Sequence, residues 1–454
     1  MASPWNRRPT ATRADSTPGS AGSLATSVRR SRGDTTWRSA PSTAPMRSTP
    51  SRSAWRRSPS RRQSRGASSM PELVHAGGVI DETRERVKLA YGQAIGKRRS
   101  EVITPALILD LHAARRNIEK MANRLKDLPA KIRPHIKVHK SPELARMQVG
   151  AGAIGISTAT VWEAVVMVRS GLDSIFIVNT VDGPEKLATI AALARDADVM
   201  VAVDEAENAA RIARAARAVG STVGVLIEVD TGMDRAGVDT AEQALELAGA
   251  LVQMKGIRLL GVTGYEGHCS LTPEADLRAQ RQHQAMTFLT RTAEDLRAKG
   301  FPCPIVSAGG TATWNLTAAD PHVTEIQAGS YVVMDNFHGA MVGDFEKALT
   351  VATTVISRPH DRVIVDAGNK SLGAPALSTI IGHDDKGLRF DEEHGIFVSR
   401  DNEPLRVGDV VELVPGYAPG TVNWYDAYHV VEDDRVVDIW PVIPRGPGHG
   451  GLIA

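Results

Sequence analysis

Cysteine is nearly absent: Cys269 and Cys303 are the only two in 454 residues, and they do not form a Cys-x-x-Cys pair. A disulfide framework or a structural zinc site is therefore unsupported. No apolar run approaches the roughly 18 residues of a membrane-spanning helix, and no apolar segment follows Arg29-Arg30, as a secretory or twin-arginine signal would require. Residues 1–69 lack lysine and hold only Asp15 and Asp34 as acids, while 14 arginines stand there among Ser, Thr, Pro and Ala. That composition cannot bury enough apolar surface to offset its ordering entropy, so a disordered tail is expected over 1–69.

The tail admits three readings: a transit peptide, an arm for nucleic acid or a partner, or an over-extended start in a GC-rich gene whose initiator is Met70, the last being favoured. Its arginines also hide the character of the rest. Of the chain's 54 basic and 52 acidic residues, 14 and two lie in the tail, which leaves 40 against 50 and a net charge of about −10 beyond it, compared with +2 for the whole. Nothing in the body points to nucleic acid or to a membrane. A soluble cytoplasmic enzyme is the expected class.

Between residues 104 and 345 short β-branched runs alternate with longer amphipathic segments. Strands are expected at 106–109, 132–136, 153–156, 174–178, 198–203, 223–229, 259–264, 304–307 and 322–327, and helices at 184–195, 205–218, 240–253 and 275–299. This repetition predicts a (β/α)8 TIM-type barrel, preceded by a helical lead-in over 70–103, with a doubly wound sheet as the alternative. After residue 346 the helical period stops. Strands at 348–356, 362–366, 395–398, 409–413, 428–432 and 435–439 predict a C-terminal all-β domain over 346–454, and the cleft between it and the barrel mouth is the expected ligand site.

The segment Lys131-Ile132-Arg133-Pro134-His135-Ile136-Lys137-Val138-His139-Lys140 ends an early strand in amines and imidazoles. A lysine there is where a barrel would place a Schiff-base nucleophile, and Lys137 is the candidate. Two glycine-rich turns, Ser307-Ala308-Gly309-Gly310-Thr311 and Gln327-Ala328-Gly329-Ser330-Tyr331, follow consecutive late strands. Such loops can offer backbone N–H groups to a phosphate. With the early lysine, they make pyridoxal phosphate the economical cofactor. His135, His139 and His268 are candidate acid–base groups, His268 ranking first and His139 second, since imidazole titrates near neutral pH.

These segments, together with Thr104-Pro105-Ala106-Leu107-Ile108-Leu109-Asp110, Glu228-Val229-Asp230-Thr231-Gly232-Met233-Asp234-Arg235-Ala236-Gly237, Gly264-Tyr265-Glu266-Gly267-His268, and Val407-Gly408-Asp409 followed by Val414-Pro415-Gly416, resemble the D-threonine aldolase and D-serine dehydratase family. That family shares the alanine-racemase-like fold of pyridoxal-phosphate enzymes. The resemblance implies that Lys137 bonds the cofactor and that Arg235 faces its ring nitrogen. It further implies that Tyr265 lines the cofactor and that Gly309, Gly310, Thr311, Gly329, Ser330 and Tyr331 hold its phosphate. A guanidinium stays protonated and cannot give a proton to the pyridine, which weakens the electron sink and limits side reactions. The family fold also implies a homodimer.

The sequence departs from the family in two places. Val138 stands where members usually place Thr. In the C-terminal domain the family carries a His-x-Asp or His-x-Cys metal pair, whereas this chain reads Pro415-Gly416-Tyr417-Ala418-Pro419. Proline offers no side-chain donor and neutral tyrosine is a poor divalent-metal ligand, so no Mn²⁺ or Zn²⁺ is expected there. The leading function is a lyase that cleaves or dehydrates a small D-configured β-hydroxy amino acid. Because Gly416-Tyr417-Ala418-Pro419-Gly420 is similar to the loop carrying the catalytic tyrosine of alanine racemases, a racemase using Lys137 and Tyr417 is the second reading, although that motif precedes the Val-Gly-Asp segment in racemases and follows it here. A low-turnover pyridoxal-phosphate-binding protein is the third, and Tyr417 as a lid residue is the plain alternative.

Overall fold

A computed structural model describes residues 74–383, 387–398 and 404–447. The tail expected over 1–69 lies outside the described residues. The predicted β-branched runs form an eight-stranded parallel sheet, in spatial order Lys131–Ile132, Glu325–Ile326, Ile305–Ala308, Ile257–Thr263, Val223–Glu228, Asp198–Val203, Ser174–Thr180 and Ile156–Thr158. A parallel bridge between His135 and Ser157 joins its two ends, so the sheet closes as the alternating pattern predicts.

The helices outside it follow from apolar spacing. Ala206–Ala218 buries Ala209, Ile212, Ala213 and Ala216, one stripe at three- and four-residue intervals. Ala241–Leu251 starts at Thr240, whose hydroxyl accepts the Gln243 N–H while Gln243 reaches back to the cap. Inside the barrel, Phe176, Met200, Ala202, Leu226 and Leu260 form a cluster separate from the main core. These are alternate residues of neighbouring strands, so they face the lumen while their neighbours face the helices. Truncating the fully buried Phe176 to alanine would cost about 3–5 kcal/mol.

The strand expected at 153–156 lies at Ile156–Thr158 and that expected at 322–327 is shortened to Glu325–Ile326, and two further elements differ more. The strand at Ala106–Asp110 joins the C-terminal sheet, antiparallel to Leu349–Ser357 and parallel to Ala427–Glu432. Its two faces meet different clusters: Leu107 and Leu109 pack in the main core, while Ala106 and Ile108 pack with Ala352, Val431 and Ile439. A strand apolar on both faces suits the middle of a covered sheet, and the C-terminal sheet supplies that place. The strand expected at 132–136 is cut to Lys131–Ile132 because Pro134 has no N–H to donate. Pairing persists at alternate residues, Arg133 N–H to Ile326 O (2.9 Å) and His135 N–H to Ala328 O (3.4 Å), and a short 3₁₀ turn, Ile136–Val138, then carries Lys137.

The second sheet runs Arg389–Phe390, Gly395–Val398, Arg362–Val365, Leu349–Ser357, Ala106–Asp110, Ala427–Glu432 and Arg435–Pro441, with Val410–Val414 also on Leu349–Ser357. Its loop after Val414 reaches the barrel mouth through backbone bonds, Asn336 N–H to Pro415 O (3.2 Å) and Phe337 N–H to Gly416 O (3.0 Å). Before the barrel, Val74–Tyr91 is a helix. Among the described residues no helix is long and apolar enough to cross a membrane.

Candidate active site

A cavity of about 710 Å³, counting its open mouth, lies at the C-terminal ends of the barrel strands under the Gly416–Pro419 loop. Lys137, Arg235, Tyr265, Gly309, Gly310, Thr311, Gly329, Ser330 and Tyr417 all line it, and so does His135. Residues spread over 280 positions of sequence thus converge because each sits at or just beyond the end of its own strand.

Tyr265 anchors the arrangement. Lys137 Nζ stands 5.7 Å from its ring centroid and Arg235 Cζ 5.9 Å, so one aromatic ring neighbours both cations. Burial, with a smaller push from Glu266, raises the phenol to about 12. Burial lowers the Lys137 amine; Glu163 opposes this and Arg235 adds to it. Such a lysine is more readily deprotonated and nucleophilic than one in water.

The Arg235 loop is built on Asp230. Its carboxylate accepts the N–H groups of Gly232 (2.8 Å), Met233 (2.7 Å) and Arg235 (3.0 Å). Burial alone would raise that carboxyl, but the three donors hold it below its usual range. Arg235 then reaches Glu228 at 3.5 Å. Glu228 is buried, burial raises its carboxyl, and its Oε2 has no hydrogen-bond partner, a free polar atom on the cavity wall.

The glycine turns are packed tightly against their surroundings. A Cβ on Gly310 would lie 3.1 Å from Tyr265 Cε2, and one on Gly329 only 2.3 Å from His135 O. Gly309, with φ +83°, occupies the left-handed region. Glu266 organises the first turn: its carboxylate accepts Gly309 N–H (3.1 Å) and the hydroxyls of Thr313 (2.6 Å) and Thr317 (2.9 Å). Gly310 N–H goes to Thr313 Oγ1 and Tyr331 N–H to Thr311 Oγ1, both at 3.2 Å. Three of the six expected phosphate amides are thus engaged within the protein, leaving Thr311, Gly329 and Ser330 as the better placed candidates.

Three sequence candidates are placed away from the cavity lining. His139 is fully buried, with Nε2 3.2 Å from Gln148 Oε1 and Nδ1 accepting Ser141 N–H at 3.1 Å. Burial lowers it to about 3, so it is a neutral structural group in place of the expected acid–base residue. Tyr331 turns inward, its hydroxyl accepting from Gln148 at 2.8 Å, which extends the same buried chain behind the lysine turn. His268 packs beside Gly232, where a Cβ would lie 3.2 Å from its Cε1, and its Nδ1 is buried without a partner.

Sequence reasoning missed Asn179, Glu228, Gln327 and His338 on the lining. Gln327 Nε2 donates to Thr263 Oγ1 (3.1 Å) and Ser307 Oγ (2.9 Å), tying three strand ends together. His338 had one weak signal: Asp335 is a helix N-cap that accepts its N–H, so the carboxylate and imidazole share the first turn of Asn336–Gly339.

The lining fits pyridoxal phosphate: a half-buried lysine, a guanidinium 5.9 Å from the same aromatic ring, and a glycine turn whose missing side chains leave backbone exposed at the cavity edge. A divalent metal at the Gly416–Pro419 loop does not fit. Burial raises the Tyr417 phenol, which keeps it protonated, and Pro419 has no side-chain donor.

Comparison with known proteins agrees with this geometry. A profile of the alanine racemase N-terminal domain matches residues 109–337, and one of a serine dehydratase domain matches 348–431. A D-threonine aldolase of Arthrobacter sp is 37% identical over 360 residues, covering 76% of this chain and 94% of that protein. The chain belongs to the D-threonine aldolase and D-serine dehydratase-like family. Another family member, the D-threo-3-hydroxyaspartate dehydratase of Delftia sp. (strain HT23), is 32% identical over 74% of this chain and 96% of its own length. The solved D-threonine aldolase of Filomicrobium marinum superposes with a TM-score of 0.74 at 34% identity, over 78% of this chain and 98% of that one. These relatives are lyases. A solved alanine racemase of Clostridium difficile, at 16% identity and a TM-score of 0.60, shares the fold alone.

Proposed function

We propose that this chain is a pyridoxal-phosphate-dependent lyase that cleaves or dehydrates a small D-configured β-hydroxy amino acid. The observation that carries it is the grouping of Lys137, Arg235 and Tyr265 beside two glycine turns on one cavity wall, in a chain whose family relatives are aldolases and dehydratases of such substrates. When bound, the cofactor supplies the electron sink that makes the bonds at an amino acid's Cα labile. Lys137 attaches it and moves a proton at Cα. Arg235 would face the ring nitrogen, to which a guanidinium has no proton to give. Thr311, Gly329 and Ser330 would hold the phosphate, and Tyr265 would support the ring. Gly416–Pro419 covers the mouth and excludes water. The reading extends to a cytoplasmic homodimer, which light scattering of the purified chain checks.

One observation favours a second reading. Tyr417 and Lys137 line the same cavity, as two acid–base groups of a racemase must. Adding D-threonine, D-serine and D-alanine to the cofactor-loaded protein in deuterated buffer separates the two by NMR. Glycine with acetaldehyde, or ammonia with pyruvate, is the lyase result. Deuterium at Cα in both enantiomers, without cleavage, would make the protein a racemase.

A further inference from the structure

Asp335 is fully buried at the end of the barrel and lies 2.8 Å from His338 Nδ1. Its Oδ1 also accepts the His338 backbone N–H (2.8 Å), and its Oδ2 accepts the N–H of Ala418 (2.8 Å), directly after Tyr417. A carboxylate that is accepting all these bonds leaves the imidazole proton on Nδ1 and makes Nε2 the basic nitrogen. Nε2 stands 3.3 Å from the Ser330 hydroxyl, which donates to it. His338, Ser330 and Lys137 line the same cavity. Two rings pack against the imidazole: Tyr417 stacks with centroids 6.1 Å apart and planes at 20°, and Phe337 meets it edge-on at 5.1 Å. The loop at which a metal does not fit therefore clamps a carboxylate-oriented imidazole whose free nitrogen already engages a hydroxyl.

We propose that His338 is the acid–base group acting on the substrate's β-hydroxyl, in place of a divalent metal. The assignment rests on the lyase reading above. For D-threonine, Nε2 takes the β-hydroxyl proton, the substrate hydroxyl displacing that of Ser330. The C–O bond becomes C=O as the Cα–Cβ bond breaks, acetaldehyde leaves, and the electron pair retained at Cα takes up a proton to give glycine. Asp335 is a positioning residue: it fixes the Nδ1–H tautomer and balances the imidazolium charge while Nε2 holds the proton.

The test compares full-length holoenzyme with His338→Gln and Asp335→Asn in two assays. One follows acetaldehyde release from D-threonine. The other follows exchange of the D-alanine α-proton for deuterium, which involves no β-hydroxyl. Loss of a general base costs about 10²- to 10⁴-fold, so His338→Gln should lose cleavage by that factor while exchange stays within about threefold. Asp335→Asn should lower cleavage more than exchange. Mass spectrometry of the wild-type protein, after incubation with Mn²⁺ and dialysis, should find no stoichiometric metal, and a chelator should leave cleavage unchanged. Retained cleavage in His338→Gln, an equal fall of cleavage and exchange, or a stoichiometric Mn²⁺ requirement would each overturn the assignment. A wild-type protein that exchanges α-protons but neither cleaves nor dehydrates any β-hydroxy amino acid would instead sink the lyase reading, and the His338 role with it.

Discussion

Gly329 tests how closely the glycine turn and the lysine turn are coupled. Alanine there would put a methyl carbon 2.3 Å from His135 O and 3.0 Å from Val138 Cγ2, on both sides of Lys137. Cβ contacts under 3.0 Å are essentially never adopted, and His135 O is backbone, so the lysine turn must retreat by 0.7 Å or more. Overpacking of this kind costs about 1–3 kcal/mol. At about 2 cal/mol/K per residue, a folded unit of this size should lose only about 1–4 °C in Tm. A displacement of nearly 1 Å at a reacting group costs on the order of 10²-fold in rate. Gly329→Ala should therefore show a small thermal shift, a large loss of cleavage and altered visible absorbance of the bound cofactor. Gly343→Ala is the control, because a Cβ there meets nothing within 4 Å. Wild-type cleavage in Gly329→Ala, or equal losses in both variants, would refute the coupling.

Lys140→Met strands the buried Glu163 carboxylate, now paired with Lys140 Nζ at 2.6 Å, and should cost about 3–5 kcal/mol in urea denaturation; a Lys140→Met, Glu163→Leu double variant should recover part of that. Burial lowers His139 to about 3 and also lowers His135. The unfolded chain then binds protons below about pH 6.5 that the folded chain refuses, so stability present above that pH should fall as pH drops, by about 1.4 kcal/mol per unit for each histidine. His139→Gln should flatten the slope by one such share between pH 6 and 4, and an unchanged slope would contradict its buried neutrality. Tyr417→Phe keeps the ring that stacks on His338, so cleavage should stay within about tenfold of wild type. The racemase reading expects that variant to lose racemisation of D-alanine.

Much of the architecture was legible because local pattern reflects local structure. The apolar spacing of Ala206–Ala218, the cap at Thr240 and the β-branched run Asp198–Val203 each carry their own signal. Strand membership was less legible. Ala106–Asp110 has the composition of a barrel strand, and only its pairing with Leu349–Ser357 and Ala427–Glu432 places it in the other sheet. At the site, Lys137, Arg235, Tyr265 and the glycine turns stood out because unusual residues follow strands in recognisable strings. His338 did not, since a single imidazole has no spacing to mark it, and Glu228 opens a quoted string without a role being read for it. Side-chain direction was also hidden: Tyr331 and His139 belong to motif segments, yet both turn into the core towards Gln148.

The sequence by itself determined the repeating βα pattern, the change to an all-β region, the lysine and glycine turns at strand ends, and the Tyr417-Ala418-Pro419 string after Gly416. These are properties of neighbouring residues. Tertiary structure alone decided that the strand before the barrel pairs with the last third of the chain, that His139 is withdrawn from the site, and that Asp335 and His338 are clamped beneath Tyr417. Those outcomes depend on which distant surfaces bury one another, and burial then selects the partners, proton positions and ring orientations that neighbouring residues leave open.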